Sequence, residues 1–163
     1  MGTLKNMIFL CLLVFFGGCA TMNSKEIPKM DNSTSVVYII HEKVLSGDTL
    51  LKEKIFVNGQ SQSKLKTNYY TFFYAKPGEY KVENEGGTLF GSDPKLAGSI
   101  EIKLEAGKVY YLSYKIKTKI IETAHINEKR ISPAGAEWTI LDEAKGKELI
   151  EKMTFCKPIK DNF

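Results

Sequence analysis

The chain has 163 residues, 43% of them apolar, and carries 23 Lys/Arg against 19 Asp/Glu for a net charge of +4 at pH 7. That length suits one domain with a buried core, and the dispersed charges exclude a dedicated nucleic-acid binder with its concentrated basic patch. Arg130 is the single arginine, which leaves few bidentate clamps for phosphate or carboxylate.

The first element is an apolar run, Met7–Phe16, that stops at Gly17-Gly18. A bilayer span needs about 20 apolar residues, roughly twice this run, so a retained transmembrane anchor is disfavoured. Lys5 and the N-terminal amine precede it and polar residues follow, which is the layout of a secretory signal. Phe16-Gly17-Gly18-Cys19 resembles the lipobox of bacterial lipoproteins, with Phe16 where leucine is usual. The resemblance implies a signal peptide over 1–18, cleavage between Gly18 and Cys19, and acylation of the Cys19 thiol. Two membrane-binding signals already anchor a protein stably, so a triacylated cysteine holds it permanently. Ala20, rather than aspartate, after the cysteine implies the outer membrane of a bacterial envelope, on its periplasmic side.

Cysteine count separates this reading from an ordinary signal peptide. Cys11 leaves with the signal and acylation consumes Cys19, so Cys156 stands alone and no internal disulfide forms. Without acylation, a Cys19–Cys156 bridge is open to the chain in an oxidising compartment. Cleavage leaves 145 residues, and losing Lys5 leaves 22 Lys/Arg against 19 acids, a net charge of +3.

Residues 19–35 read as the lipidated cysteine and a flexible tether, with Pro28 and a Ser/Thr/Asn cluster and no apolar period. As a coil, the stretch after Cys19 spans about 20–25 Å. Strands follow over 36–155. Val36–His41 is short, β-branched and aromatic. Asn58-Gly59 predicts a hairpin turn, because both central positions of the favoured turn need positive φ. Pro77-Gly78 predicts a turn between two further strands, with glycine in the left-handed position. Residues 86–98 are glycine-rich and read as a long exposed loop. Ile100, Ile102 and Leu104 alternate with Glu101, Lys103 and Glu105 as a half-buried strand, and Ala106-Gly107-Lys108 turns the chain back into Val109–Ile116. A strand at Glu137–Leu141 precedes a short helix capped by Asp142, with Leu149, Ile150 and Met153 on one face and Gly146 weakening it. Residues 156–163 read as a tail. No internal repeat is found, and the predicted fold is a small, mainly-β sandwich of about 7–8 antiparallel strands with one short C-terminal helix.

These landmarks keep a recognisable order: "VVYII", "VNG", "YYTFF" with "KPGEY", "LEAGKVYYL" and a "WTILDEAKGKEL" tail. The order resembles the DUF2846 family of small bacterial lipoprotein-type domains, and the likeness covers roughly 36–151. It implies a β-sandwich and transfers no catalytic or binding residue. Residues 86–98 and 117–137 are longer than that pattern leads one to expect.

Catalytic motifs are not found: no G-x-S-x-G, H-E-x-x-H, C-x-x-C or P-loop. His41 and His125 sit in different segments and would meet Cys156 as zinc ligands only through long-range folding. Ser46 and Ser92 lack an elbow or oxyanion context for a serine nucleophile. No catalytic residue, metal or cofactor is therefore expected, and the chain reads as a non-enzymatic binding or structural module of an envelope. An accessory subunit of an envelope or secretion complex, and an envelope hydrolase, are the rival readings. Two surface features carry alternatives. Lys115, Lys117 and Lys119 alternate, which makes a solvated or edge-protecting face, or a contact with anionic lipid or polyanionic polymer. The tyrosines at 69, 70, 74, 80, 110, 111 and 114 make core packing, or an exposed aromatic groove for a peptide or glycan.

Overall fold

The computed structural model describes residues 28, 31–43, 52–88, 91–123, 128–159 and 163, with backbone alone for 88, 91, 118–123 and 128–134. The 1–18 segment, Cys19, most of the tether, Ser46 and His125 lie outside the described residues. The described chain forms eleven strands: β1 (Ser35–His41), β2 (Lys52–Val57), β3 (Gln60–Lys66), β4 (Tyr69–Ala75), β5 (Gly78–Asn84), β6 (Gly87–Thr88), β7 (Gly91–Ser92), β8 (Gly98–Leu104), β9 (Val109–Thr123), β10 (Glu128–Leu141) and β11 (Thr154–Phe155). One helix, α1 (Glu143–Lys152), lies between β10 and β11.

Two sheets form the sandwich, a five-stranded one ordered β10-β9-β1-β4-β11 and a four-stranded one ordered β3-β2-β5-β8. The mainly-β class with one helix is therefore as expected, but two pairings are parallel. β1 pairs antiparallel with β4 on one side and parallel with β9 on the other, Val36 facing Val109 and His41 facing Tyr114.

Sequence pattern explains the layers. Val37, Ile39, Phe73, Leu112 and Tyr114 of the first sheet meet Ile55, Val57, Leu65, Val82 and Leu104 of the second in one buried core. The alternate residues Ile40, Tyr70 and Tyr111 emerge on the other side of the first sheet, where Leu149 and Ile150 of α1 and its C-cap Met153 cover them. β1 is thus apolar on both faces, which a central strand between two layers requires.

Local turn chemistry works as predicted at Asn58-Gly59, whose φ angles of 49° and 74° close the β2–β3 hairpin. The Asp142 carboxylate accepts from the Lys145 N–H at 2.8 Å and caps α1. Two other predicted turns are corners rather than hairpins. Pro77-Gly78 takes the chain from β4 in one sheet to β5 in the other, with Gly78 near-extended at φ 158°, and Ala106–Lys108 takes it back from β8 to β9. A sandwich needs such crossings, and the same turn residues serve both purposes. The 86–98 stretch is also less open than expected: β6 and β7 pair, Pro94–Leu96 forms a 3₁₀ turn, and Gly86, Gly87 and Leu96 are buried.

Gly146 has a packing role that outweighs its helix cost. A Cβ there would lie 2.2 Å from Cγ of Tyr111, which α1 covers. Gly146→Ala is expected to destabilise the fold by about 1–3 kcal/mol through this overlap, against a gain of about 1 kcal/mol in helix propensity. Thermal melts of the two proteins check the sign.

Candidate functional site

The described polar groups with unusual surroundings gather between the sheets. Glu53, Ile55 and Val57 share one face of β2 by alternation, so the strand that buries two aliphatics also buries a carboxylate, at 1% exposure. Asn84 closes β5 on the same inner face after Val82. Its amide donates to Glu53 Oε2 at 2.7 Å and to the Leu96 carbonyl at 3.0 Å. Its carbonyl accepts from Trp138 Nε1 at 3.1 Å. Asn84 thereby ties β2, the 3₁₀ turn and β10 together.

Trp138 also begins an aromatic stack. Its ring lies 4.6 Å from that of Tyr114, and the Tyr114 ring lies 4.3 Å from the imidazole of His41, with interplanar angles of 25° and 19°. Burial pushes the Tyr114 phenol well above its ordinary pKa, and the nearby Glu53 and Cys156 add to the effect. Burial likewise raises the Cys156 thiol, whose Sγ approaches the Lys64 carbonyl at 3.4 Å. His41 moves the other way: loss of solvent lowers it from 6.5 to about 4, against weaker opposing hydrogen bonds at the backbone of Leu65 and Lys66. At neutral pH the site therefore holds a neutral imidazole, an un-ionised phenol and a protonated thiol. The Tyr114 hydroxyl and His41 Nδ1 are buried without a hydrogen-bond partner among the described residues, and a catalytic base or nucleophile is usually poised near the working pH. Among the described residues no group of three His, Cys, Asp or Glu side chains is placed to hold a metal ion.

The lysines singled out by alternation lie on β9 beyond Tyr114, where its pairing with β1 has ended and β10 alone is in register among the described residues. Glu137 of β10 faces Lys115 in register, and its carboxylate meets Lys115 Nζ at 3.4 Å and Lys117 Nζ at 3.3 Å. The two lysines, Lys117 foremost, hold the Glu137 carboxyl below its ordinary pKa. Lys119 faces Ser132, and its side chain lies outside the described residues. On the outer face of β5 and β8 a shallow depression of about 440 Å³ is lined by Asn58, Glu79, Lys81, Glu101 and Lys103. Register sets Glu79 opposite Lys103 and Lys81 opposite Glu101, so its charges alternate in sign.

Of the tyrosines singled out, Tyr70, Tyr111 and Tyr114 are buried and Tyr69, Tyr74, Tyr80 and Tyr110 are half-buried, while the exposed large apolar side chains among the described residues are Ile140 and Ile159. Tyr38, half-buried on the outer face of the first sheet, stacks on Tyr111 at 5.0 Å and has its phenol pushed up to about 12 by desolvation and neighbouring tyrosines. Sequence reasoning passed over Glu53, Asn84 and Trp138. The signal available for Glu53 was its place on the apolar face of an alternating strand.

Fold and polar core together define a two-sheet, mainly-β sandwich backed by one helix, with its titratable interior groups held in un-ionised or hydrogen-bonded form. The chain belongs to the DUF2846 family, described as a protein of unknown function, whose family model matches residues 31–127. That span runs from the turn before β1 through β9 and includes the 86–98 segment, while β10, α1 and the "WTILDEAKGKEL" stretch lie beyond it. Comparison with curated proteins and with solved structures returned no match. No helix among the described residues is long and apolar enough to cross a membrane.

His41 makes stability depend on pH in a defined direction. The unfolded chain, with an ordinary imidazole near 6.5, takes up protons between pH 6.5 and 4 that the folded chain refuses. Stability is thus full above pH 6.5 and falls as pH drops toward 4, by roughly 3 kcal/mol at most. The drop in melting temperature between pH 7 and 4 is expected to be smaller in His41→Phe than in the natural protein.

Proposed function

We propose that the protein is a lipid-anchored component of a bacterial envelope whose β-sandwich is a non-catalytic binding or structural module. The observation that carries this reading is Phe16-Gly17-Gly18-Cys19, placed directly after a short apolar run with a lysine before it. In this reading Cys19 carries the acyl chains and the domain faces the periplasm from the outer membrane. Sixteen residues separate Cys19 from Val36, enough as a coil to lift a small domain about 20–25 Å from the headgroups. The chain needs no membrane-crossing element of its own under this arrangement, since three acyl chains supply the attachment.

The non-catalytic part is supported by how the chain uses its reactive side chains. His41, Tyr114 and Cys156 are placed as core and seam residues with their pKa values moved away from neutrality. The partner in this reading is an envelope protein or polymer, with the membrane engaged through the lipid on Cys19. Lys115 and Lys117 share one carboxylate, which lowers the net positive charge they offer to an anionic surface.

Intact mass of the detergent-extracted protein tests the anchor. The expected mass is that of residues 19–163 plus three acyl groups, and Cys19→Ser is expected to lose that modification and leave the membrane fraction. An unmodified natural chain, or one with Cys19 joined to Cys156, would overturn the reading.

A further inference from the structure

The outer face of the second sheet carries its lysines unevenly. Alternation along β2 and β3 buries Glu53, Ile55 and Leu65 and turns Lys52, Lys54, Lys64 and Lys66 to the outside. Register then sets Lys52 opposite Lys66 and Lys54 opposite Lys64, so like charges face each other twice across this strand pair. Charges of one sign directly opposed across strands destabilise a sheet. On β5 and β8 of the same sheet the arrangement is the reverse, with Glu79 facing Lys103 and Lys81 facing Glu101. Lys54 is compensated by Glu85 at 2.9 Å, and the Lys66 ammonium lies 5.9 Å from the centroid of the Tyr69 ring. Lys52, Lys64 and Lys66 have no carboxylate within ion-pair distance among the described residues. Lysines on an edge strand discourage pairing between sheets, which accounts for Lys64 and Lys66 on β3. It does not account for Lys52 and Lys54, since β2 has β3 on one side and, at the Lys54 carbonyl, the Glu85 N–H on the other at 3.0 Å.

An exposed apolar side chain adjoins these charges. The Ile159 N–H donates to the Gln62 carbonyl of β3 at 2.6 Å, and Ile159 is 62% exposed, with the exposed Lys157 two residues before it. Phe56, half-buried, follows Lys54 on the outer face of β2. A hydrated polyanion engages ammonium groups and gains nothing from a bare isoleucine. The headgroup boundary of a bilayer takes both, with lysines at the phosphates and apolar side chains below them. Lysine also suits such a surface because it acts as a point charge and needs no fixed geometry.

We propose that this corner of the second sheet, with Lys52, Lys64, Lys66 and Ile159 at its centre, is a contact surface for an anionic phospholipid bilayer. The proposal rests on the envelope anchor at Cys19 for its setting and on the sheet alone for its geometry. In that reading three acyl chains already retain the protein, so the surface orients the domain. It lays the sandwich on its second sheet and turns α1 away from the membrane. The lysines lie toward the end of the sandwich remote from the tether: the Asn68 N–H, just after Lys66, donates to the His41 carbonyl at the close of β1, whereas the chain enters β1 at Ser35. The seven residues of β1 span about 20 Å. A tether reaching about 20–25 Å covers that length, so the anchored domain can lie down.

Sedimentation with vesicles tests this on the mature chain carrying Cys19→Ser, so that failure here speaks against the surface while a missing acyl mass speaks against the anchor. The chain is expected to bind vesicles of equal parts phosphatidylglycerol and phosphatidylcholine and not vesicles of phosphatidylcholine alone. Raising salt from about 0.1 M to about 1 M shortens the Debye length from about 10 Å to about 3 Å and is expected to release it. Each lysine near such a surface contributes about fivefold in affinity, so Lys52→Gln/Lys64→Gln/Lys66→Gln is expected to bind at least tenfold more weakly. The same charge change on α1, Lys145→Gln/Lys147→Gln/Lys152→Gln, is expected to leave binding within about threefold, because α1 lies beyond screening distance. Ile159→Ser is expected to weaken vesicle binding with the salt dependence unchanged. On the vesicles, Lys52 and Lys64 are expected to be shielded from an amine-reactive label that still reaches Lys152. Equal binding to both kinds of vesicle, equal losses from the two triple variants, or binding to soluble polyphosphate that is tighter than to vesicles and indifferent to Ile159→Ser would each overturn the proposal. Should the β2–β3 triple variant not fold, lipid selectivity and labelling of the parent chain decide it.

Discussion

β1 must bury both of its faces, and most of the architecture answers that requirement. Its seven residues hold antiparallel β4 on one side and parallel β9 on the other, so the backbone is paired along both edges. Val37 and Ile39 point into the space between the sheets, and Ile40 points to the opposite side. One layer alone cannot cover both. The second sheet therefore closes one face, and α1, with Leu149, Ile150 and its C-cap Met153, closes part of the other. Gly146 follows from the same demand, since α1 reaches its place only by passing close over the Tyr111 ring.

Polar residues in the interior divide into two kinds. Glu53, Asn84 and Trp138 bond to one another and to the Leu96 carbonyl, joining elements distant in sequence through directional contacts. A buried carboxylate is tolerated when hydrogen bonds replace its lost water, and removing one partner costs more than the bond itself contributes. Gln62 Oε1, Ser63 Oγ, Thr71 Oγ1, Tyr114 OH and His41 Nδ1 are different, because these buried atoms lack such partners among the described residues. The first group locks β2, β5 and β10 together.

In the proposed reading, anchor and domain are separate devices: the lipobox-like stretch would set location through the Cys19 thiol, whereas the sandwich holds its shape through packing and paired charges. Its outer charges largely neutralise each other: Lys54 with Glu85, Lys81 with Glu83, and Lys115 and Lys117 with Glu137. Exposed pairs of this sort add little stability but keep a surface wet and free of a single-sign field.

By itself the sequence determined what depends on near neighbours. Alternation set the faces of β8, Asn58-Gly59 set a hairpin, and Asp142 set the start of α1. These are matters of φ, side-chain period and local capping, resolved within a few residues. Tertiary structure decided the rest. Pro77-Gly78 and Ala106–Lys108 turn the chain either way, and only the competition among all strands for partners sends them across the sandwich. The parallel β1–β9 pair, the burial of Glu53 against Asn84 and the β11–β4 pair likewise join residues far apart in the chain. Partner choice is a long-range balance of burial and hydrogen bonding, which a local pattern does not encode.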